Sequence, residues 1–144
     1  MKVLVTGVGG QLGYDVMREL HRQGIDCCGA DRAEFDITDF AVTNEFITNY
    51  MPDAVIHCSA YTAVDKAEDE MELCSRVNAD GTENIAKVCK LINAKMIYIS
   101  TDYVFPGIGE KFYNPDDATA PCNVYGQTKL EGELAVKKLL RKYF

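Results

Sequence analysis

A tyrosine and a lysine, Tyr125 and Lys129, lie four residues apart in the segment NVYGQTKLEGE (residues 123–133). On a helix this spacing places both side chains on one face, one turn apart. A phenol has a pKa of about 10 in water and exchanges protons poorly at neutral pH, but a neighbouring ammonium group favours the phenolate and lowers that pKa. The pair therefore has the chemistry of a general acid and its tuning group.

A hydroxyl side chain that could act with this pair precedes it in the chain. The segment ISTDYVF (99–105) ends a predicted strand, and Thr101 there could hydrogen-bond the same substrate oxygen as Tyr125. The spacing Tyr-x-x-x-Lys is common by chance, so its interpretation depends on whether the chain also binds a redox cofactor. Beside a bound nicotinamide, the three side chains would assemble a proton donor, its tuning group and a positioning hydroxyl.

The glycine-rich segment TGVGGQLG (6–13) follows the first predicted strand and opens the first predicted helix. Gly7, Gly10 and Gly13 form a G-x-x-G-x-x-G pattern. Glycine permits a tight turn, close approach of the backbone to a pyrophosphate, and packing of the helix on the strand. The N-terminus of the helix then offers free N–H groups to the phosphates. In this context the pattern predicts a dinucleotide-binding loop.

An acid and an arginine follow the second predicted strand. A dinucleotide site is expected to place an acid there, and Asp31 could accept a hydrogen bond from the adenosine ribose 2′-hydroxyl of NAD. Arg32 follows directly and could instead hold the 2′-phosphate of NADP. The sequence therefore leaves NADH and NADPH both open as cofactors. Asp36, in the next loop, fits a turn or helix-capping role as well as a cofactor contact.

The segment CSAYTAVDKAEDE (58–70) follows the third predicted strand. Ligands of open α/β sheets bind at the carboxyl ends of the strands, and the small residues of this segment would let a cofactor lie close to the backbone. The acids further along, from Glu68 to Glu72, are expected to form a solvated helix face.

Apolar runs alternate with helical patterns along the whole chain. The predicted strands are residues 2–7, 25–31, 53–60 and 95–101, the predicted helices are residues 11–23, 39–50, 70–92 and 123–142, and a Pro- and Asp-rich loop spans residues 102–122. This alternation, with Val and Ile nearly continuous in the strands, predicts an α/β fold: an NAD(P)-binding, Rossmann-like, doubly wound parallel sheet. The helical periodicity predicts that Leu12, Val42 and Leu91 face the core.

Composition limits the classes of partner. The chain has 144 residues, enough for one domain, and a formal net charge of −7, which argues against nucleic acid or an anionic membrane as a partner. No apolar run reaches the roughly 18 residues that a membrane helix needs. The six cysteines show no metal-ligand spacing, so we expect no metal site and reduced thiols in a cytoplasmic protein.

Three stretches together resemble a known family. TGVGGQLG, STDYVF and YGQTK, in this order, are similar to the extended short-chain dehydrogenases/reductases. The stretches AYTAVDKAE (60–68), STDYVFPG (100–107) and NVYGQTKLEGE closely resemble the dTDP-4-dehydrorhamnose reductase branch of that superfamily. The resemblance implies NADPH- or NADH-dependent reduction of the C4 ketone of dTDP-4-dehydro-L-rhamnose to dTDP-L-rhamnose, with a dTDP-sugar as substrate.

The resemblance also assigns roles to particular positions. Tyr125 would protonate the C4 oxygen, Lys129 would hold the nicotinamide ribose, and Thr101 would bind the C4 oxygen. The implied cofactor contacts are Gly10, Gln11 and Leu12 at the pyrophosphate, Asp36 and Ile37 at the adenine, and Ala60, Tyr61, Thr62 and Ile99 along the cofactor. The implied sugar contacts, besides Thr101, are Asp102 and Tyr103.

Length is where the chain departs from that family, whose members are nearly twice as long. We therefore expect residues 1–144 to be the dinucleotide-binding domain without the C-terminal sugar-nucleotide domain, taken from a parent that could form a homodimer. Such a chain should leave the fourth strand as a bare apolar edge and Leu134, Leu139 and Leu140 partly exposed. We expect it to self-associate and to have negligible reductase activity alone.

Two other functions remain open at this point. One is a non-catalytic NADP-binding regulatory subunit of the same fold, of the kind that partners methionine adenosyltransferase, but such a protein has no need of Thr101, Tyr125 and Lys129 together. The other is a related nucleotide-sugar epimerase or dehydratase. A dehydratase would need further acid/base residues beside the threonine, a demand that Asp102 partly meets.

Overall fold

The computed structural model describes residues 1–109 and 112–144 and contains one parallel sheet. Its strands are β1 (Lys2–Thr6), β2 (Asp26–Ala30), β3 (Ala54–His57) and β4 (Lys95–Tyr98), in the order β2-β1-β3-β4. Helices connect consecutive strands, as parallel pairing requires. The predicted α/β fold with a parallel sheet is confirmed.

Six α-helices accompany the sheet in the described part of the chain. They are α1 (Gln11–Arg22), α2 (Phe40–Tyr50), α3 (Val64–Ala67), α4 (Met71–Ser75), α5 (Gly81–Ile92) and α6 (Val124–Leu139). Asp39 caps α2: its side chain accepts hydrogen bonds from two backbone N–H groups of the first turn. A 3-10 turn, Asp102–Val104, follows β4.

The prediction of a single continuous helix over residues 70–92 is wrong. A π-helical segment, Arg76–Asp80, lies between α4 and α5. Such a segment adds one residue to a turn and shifts which side chains face inward. Here it directs Asn78 into the interior, with 1% of its surface exposed, where its side chain reaches other parts of the chain.

The main core cluster packs on one face of the sheet, where Leu4, Val55 and Met96 are in register on neighbouring strands. Its fully buried members include Leu4 and Val55 from the strands, Ile47 from α2, Ile85 and Val88 from α5, and Met96 from β4.

Three residues predicted to face this core are exposed instead: Leu12, Val42 and Leu91. In α2 the inward position belongs to Thr43, which is buried and whose hydroxyl donates to the backbone oxygens of the preceding loop. A polar residue can take a core position when its hydroxyl finds a backbone acceptor, so the apolar pattern misassigned Val42 although Ile47 of the same helix is buried.

The predicted bare edge of β4 is also wrong. Residues 142–144 run parallel to β4 on its outer side: the N–H of Met96 donates to the Lys142 oxygen at 3.1 Å, and that of Tyr98 to the Phe144 oxygen at 2.9 Å. The chain leaves α6 through Leu140, which is extended and buried, and returns to the sheet. Leu134 is exposed as expected.

A crevice opens at the carboxyl edge of the sheet. From β1 the chain passes to β2 on one side, whereas β3 lies on the other side of β1. The loops that follow β1 and β3 therefore diverge, and such a switch point is where ligands of open α/β sheets bind. Among the described residues, no helix is both long and apolar enough to cross a membrane.

Candidate active site

The loop after β1 has the geometry that its glycines predict. Gly7 has a φ of +74°, and a side chain on it would lie 2.6 Å from the backbone nitrogen of Ser59. A side chain on Gly13 would collide with the Gly7 oxygen. The helix α1 begins directly after Gly10 with no side chain capping its first turn. Backbone N–H groups at this helix end are therefore available to an anion.

A cleft of about 250 Å³ runs from this loop along the ends of the strands. Seven of the residues proposed from the sequence line it: Gly7, Gly10, Asp31, Arg32, Asp36, Ile37 and Ala60. Ala60 lies on the side of β3. The structure thus brings the glycine loop, the end of β2 and the loop after β3 to a single cavity.

Asp31 is fixed beneath the glycine loop. One carboxylate oxygen accepts the N–H of Gly9 at 2.9 Å, and the other accepts the N–H of Arg32 at 2.9 Å. A side chain on Gly9 would collide with the first of these oxygens. Gly9 is therefore a site residue that the sequence analysis missed, although it is the first glycine of the GG pair in the motif.

Two arginines approach Asp36 in the part of the cleft that follows β2. Its carboxylate accepts hydrogen bonds from the N–H and the hydroxyl of Thr38, and these bonds hold the pKa of Asp36 below its ordinary value. The nearby charges of Arg32 and Arg76 add to this lowering. Arg32 is 3.9 Å from the carboxylate and largely exposed. Arg76 lies on the π-helical segment, where helical periodicity does not assign it to the site.

The π-helical segment also holds the loop after β3 in place. The side chain of Asn78 accepts from the N–H of Tyr61 at 2.8 Å and donates to its carbonyl oxygen at 3.1 Å. The Tyr61 hydroxyl donates to Glu70 at 2.6 Å, and this bond raises the pKa of Tyr61 to about 12. Thr62 is exposed beside this anchored loop, as are Gln11 and Leu12 across the crevice.

Lys129 is buried to an extent unusual for a lysine, with 3% of its surface exposed. Its Nζ donates to the Ile99 carbonyl oxygen at 2.5 Å and lies 4.2 Å from the centre of the Tyr98 ring. Burial lowers the pKa of Lys129 to about 8. The ammonium is therefore fixed at the end of β4, where Thr101 also lies.

The pKa of Tyr125 differs from the prediction. Its pKa is raised, because partial burial disfavours the phenolate, while the side chain of Thr101 lowers it in part. Lys129 does not contribute to this balance, since its ammonium faces Ile99 and Tyr98 instead of the phenol. The predicted lowering by the lysine is therefore wrong for this structure, and Tyr125 remains a protonated phenol at neutral pH.

The first turn of α6 is fixed from two sides. Asn123 accepts from the N–H of Gly126 at 2.7 Å, and Glu68 accepts from the N–H of Val124 at 2.8 Å. Tyr125 lies between these two capped positions. Glu68 and Glu70 thus make specific contacts, which corrects the prediction that the acids from Glu68 to Glu72 form only a solvated face.

The turn after β4 packs against this helix. A side chain on Gly126 would collide with the Tyr103 oxygen, so the glycine lets the turn approach closely. The rings of Tyr103 and Tyr125 meet edge to face with centroids 5.6 Å apart. The Thr101 hydroxyl accepts from the N–H of Tyr103 and donates to Asp102, at 3.3 Å each. The structure therefore brings all three predicted sugar contacts to the side of Tyr125.

The whole chain, residues 1–144, matches the family described as the RmlD substrate binding domain. The dTDP-4-dehydrorhamnose reductase of Streptomyces griseus is 42% identical over 137 residues, which are 95% of this chain and 45% of that protein. The chain thus spans about half the length of the curated relatives it matches.

Solved structures agree with this relationship. A dTDP-4-dehydrorhamnose reductase from Clostridium acetobutylicum has a TM-score of 0.96 and 40% identity, covering 99% of this chain and 51% of its own. The same enzyme from Bacillus anthracis, solved in complex with NADP, has a TM-score of 0.96 and 41% identity, with the same coverage.

Proposed function

The chain belongs to the family described as the RmlD substrate binding domain, and we propose that residues 1–144 form the dinucleotide-binding domain of a dTDP-4-dehydrorhamnose reductase. The reaction is the NADPH- or NADH-dependent reduction of the C4 ketone of dTDP-4-dehydro-L-rhamnose. The family description names substrate binding, but the features that dominate this chain are a glycine loop and a cleft at the switch point of a parallel sheet, which suit a dinucleotide.

The observation that carries the proposal is that Thr101, whose side chain lowers the pKa of Tyr125, lies two residues after Ile99, whose carbonyl oxygen accepts from Lys129. When bound, the nicotinamide supplies the hydride to the C4 carbon of the sugar. Tyr125 donates its proton to the ketone oxygen, and the raised pKa keeps that proton available at neutral pH. The hydroxyl of Thr101 orients the same oxygen.

Lys129 acts on the cofactor in this arrangement. Its ammonium, which donates to the Ile99 carbonyl, would hold the hydroxyls of the nicotinamide ribose. This role requires the charged form, which predominates below the pKa of about 8.

The other end of the cleft holds the adenosine. Asp31 accepts from the ribose hydroxyls, while Arg32 and Arg76 provide positive charge for a 2′-phosphate. One acid and two arginines at the same place favour acceptance of both NADH and NADPH. We further propose that Asp102 and Tyr103 contact the sugar. For the whole protein that carries this unit, we propose a homodimer.

A non-catalytic NADP-binding regulator would need only the cleft. It would not need Lys129 buried at the end of β4, nor Tyr125 locked between two capped positions of α6, because neither feature serves cofactor binding at the adenosine end. An epimerase or dehydratase would return the hydride to the sugar, so it would consume no NADPH overall.

The first test is equilibrium binding of NADPH and NADH to the 144-residue chain, followed by nicotinamide fluorescence. Binding is expected, and Gly13→Val should abolish it because the side chain would collide with the Gly7 oxygen. A wild-type chain that binds neither dinucleotide would contradict the proposal.

The second test is turnover in a chimera in which residues 1–144 replace the matching segment of the Streptomyces griseus relative. The chimera is expected to oxidise NADPH when given dTDP-4-dehydro-L-rhamnose, and the product should be dTDP-L-rhamnose. Binding of NADPH without any oxidation in a well-folded chimera would instead support the regulatory function.

A further inference from the structure

We propose that Tyr98 is a positioning residue for Lys129: its aromatic ring holds the buried ammonium at the end of β4, where the proposed function needs it. This inference rests on the proposed function only for its catalytic consequence. The contact itself is a property of the chain and can be measured without any dinucleotide.

Two contacts join these residues. The Nζ of Lys129 lies 4.2 Å from the centre of the Tyr98 ring, within the range of a cation–π interaction. The Tyr98 hydroxyl donates to the backbone oxygen of Lys129 at 3.1 Å. Tyr98 therefore binds the lysine at both its ammonium and its backbone, and it fixes the side chain of Lys129 relative to α6.

Because both residues are buried, the contact with the Tyr98 ring is important for stabilising the Lys129 ammonium. Tyr98 is 9% exposed and Lys129 is 3% exposed, so little water is available to solvate the ammonium. Its strong donor contact is a single carbonyl, that of Ile99. An ammonium with three donors in such a place needs further stabilisation, and the negative face of an aromatic ring supplies it.

The other titratable groups near Lys129 do not replace the ring. Glu133 and Cys74 favour the charged lysine, but burial outweighs them. His57, whose ring centre lies 6.0 Å from that of Tyr98, is kept neutral by burial and by the charge of Lys129. Burial also raises the pKa of Tyr98, so its ring remains a neutral phenol.

Gly132 shows that the packing is built around this tyrosine. A side chain on Gly132 would collide with the Tyr98 hydroxyl oxygen, so the glycine leaves the space that the hydroxyl occupies beneath α6. Tyr98 thus supports the helix one turn after Lys129 as well as the lysine itself.

The experiment is NMR of the 144-residue chain with labelled lysine, with the Lys129 signals assigned by their loss in Lys129→Met. In the wild type, the ε-methylene protons of Lys129 are expected to be shifted upfield of the other lysines by the ring current of Tyr98. This signature needs no Tyr98 variant. Lys129 ε-protons at the position of an exposed lysine would overturn the proposal.

Titration of the same signals tests the energetic role. Tyr98→Phe keeps the ring and should leave the upfield shift and the lysine pKa nearly unchanged. Tyr98→Leu should remove the shift and lower the Lys129 pKa by about one unit further, because the charged form loses its partner. An unchanged or higher lysine pKa in a folded Tyr98→Leu chain would overturn the proposal.

A matched control is available at the amino end of β1. There Lys2 lies 4.0 Å from the centre of the Tyr50 ring. Tyr50→Leu should shift the Lys2 signals and leave those of Lys129 in place. If the Lys129 titration behaves as expected but the chain binds no dinucleotide, the proposed function fails and the positioning role stands.

Discussion

The carboxylate of Glu68 accepts a hydrogen bond from the backbone N–H of Val124 at 2.8 Å, across 56 positions of sequence. Val124 is the first residue of α6, directly before Tyr125. A free N–H at a helix start needs an acceptor, and a carboxylate there also meets the positive end of the helix dipole. The segment after β3 therefore holds the helix that carries Tyr125, the proposed proton donor.

Removal of this contact should weaken the helix start. Glu68→Ala is expected to lower the free energy of unfolding by about 0.5–1 kcal/mol, the usual cost of losing an N-terminal cap. Glu68→Gln keeps an acceptor oxygen and should lose less. Urea unfolding checks both, with Glu72→Ala as the matched control, because Glu72 is an exposed acid of α4. Equal losses from Glu68→Ala and Glu72→Ala would contradict the capping role.

Removal of the phenol proton tests the catalytic assignment. In the chimera that carries residues 1–144, Tyr125→Phe should lower the turnover rate by about 10²- to 10⁴-fold, the usual contribution of a general acid. NADPH binding should be nearly unchanged, because the ring remains. Tyr143→Phe is the control and should keep normal turnover. Normal reduction of the sugar nucleotide by Tyr125→Phe would make the acid assignment wrong.

Arg32 and Arg76, the two arginines near Asp36, predict a difference between the cofactors. Arg32→Ala should weaken NADPH binding about tenfold and NADH binding much less, since a hydrogen bond to a charged phosphate is lost only with NADPH. Arg76→Ala should also weaken NADPH binding more than NADH binding. Fluorescence titration with both dinucleotides measures this, and Arg22→Ala, at the far end of α1, serves as the control. Equal weakening of both cofactors would remove Arg32 from the phosphate site.

The strands and the glycine loop could be predicted because their signals are local. Buried parallel strands are continuous apolar runs, and glycines spaced between a strand and a helix are typical of a dinucleotide-binding turn. For the same reason Asp31 and the pair Tyr125 and Lys129 could be chosen as candidates. Each of these features can be recognised from the residues next to it in the sequence.

The missed features depend on distant parts of the chain. Periodicity does not reveal the extra residue of the π-helical segment, and so Arg76 and Asn78 were not assigned to the site. The pairing of residues 142–144 with β4, and the contact of Glu68 with Val124, join segments far apart in sequence. The direction of the Lys129 ammonium depends on the burial around it, which no spacing rule encodes.

The burial of His57 predicts that the stability of the fold depends on pH in the acid range. Its ring is buried, with Nδ1 2.7 Å from the Thr6 hydroxyl and Nε2 3.1 Å from the Thr82 hydroxyl. Burial, and secondly the charge of Lys129, lowers the pKa of His57 to about 3 from an ordinary value of 6.5. Because the folded chain holds a neutral imidazole, only the unfolded chain takes up this proton between pH 6.5 and 3.

Stability from this group is therefore fully present above pH 6.5 and is lost as the pH falls toward 3. At one proton per molecule the free energy of unfolding should drop by about 1.4 kcal/mol per pH unit once below 6.5, or about 2 kcal/mol by pH 5. Urea unfolding at pH 7.5, 6.5, 5.7 and 5 measures the slope. His57→Gln is expected to be less stable at pH 7.5 but to lack this slope, whereas His21→Gln, changed at an exposed position of α1, should keep it. An acid slope in His57→Gln equal to that of the wild type would mean that other groups cause the loss, because a glutamine has no proton to gain in this range.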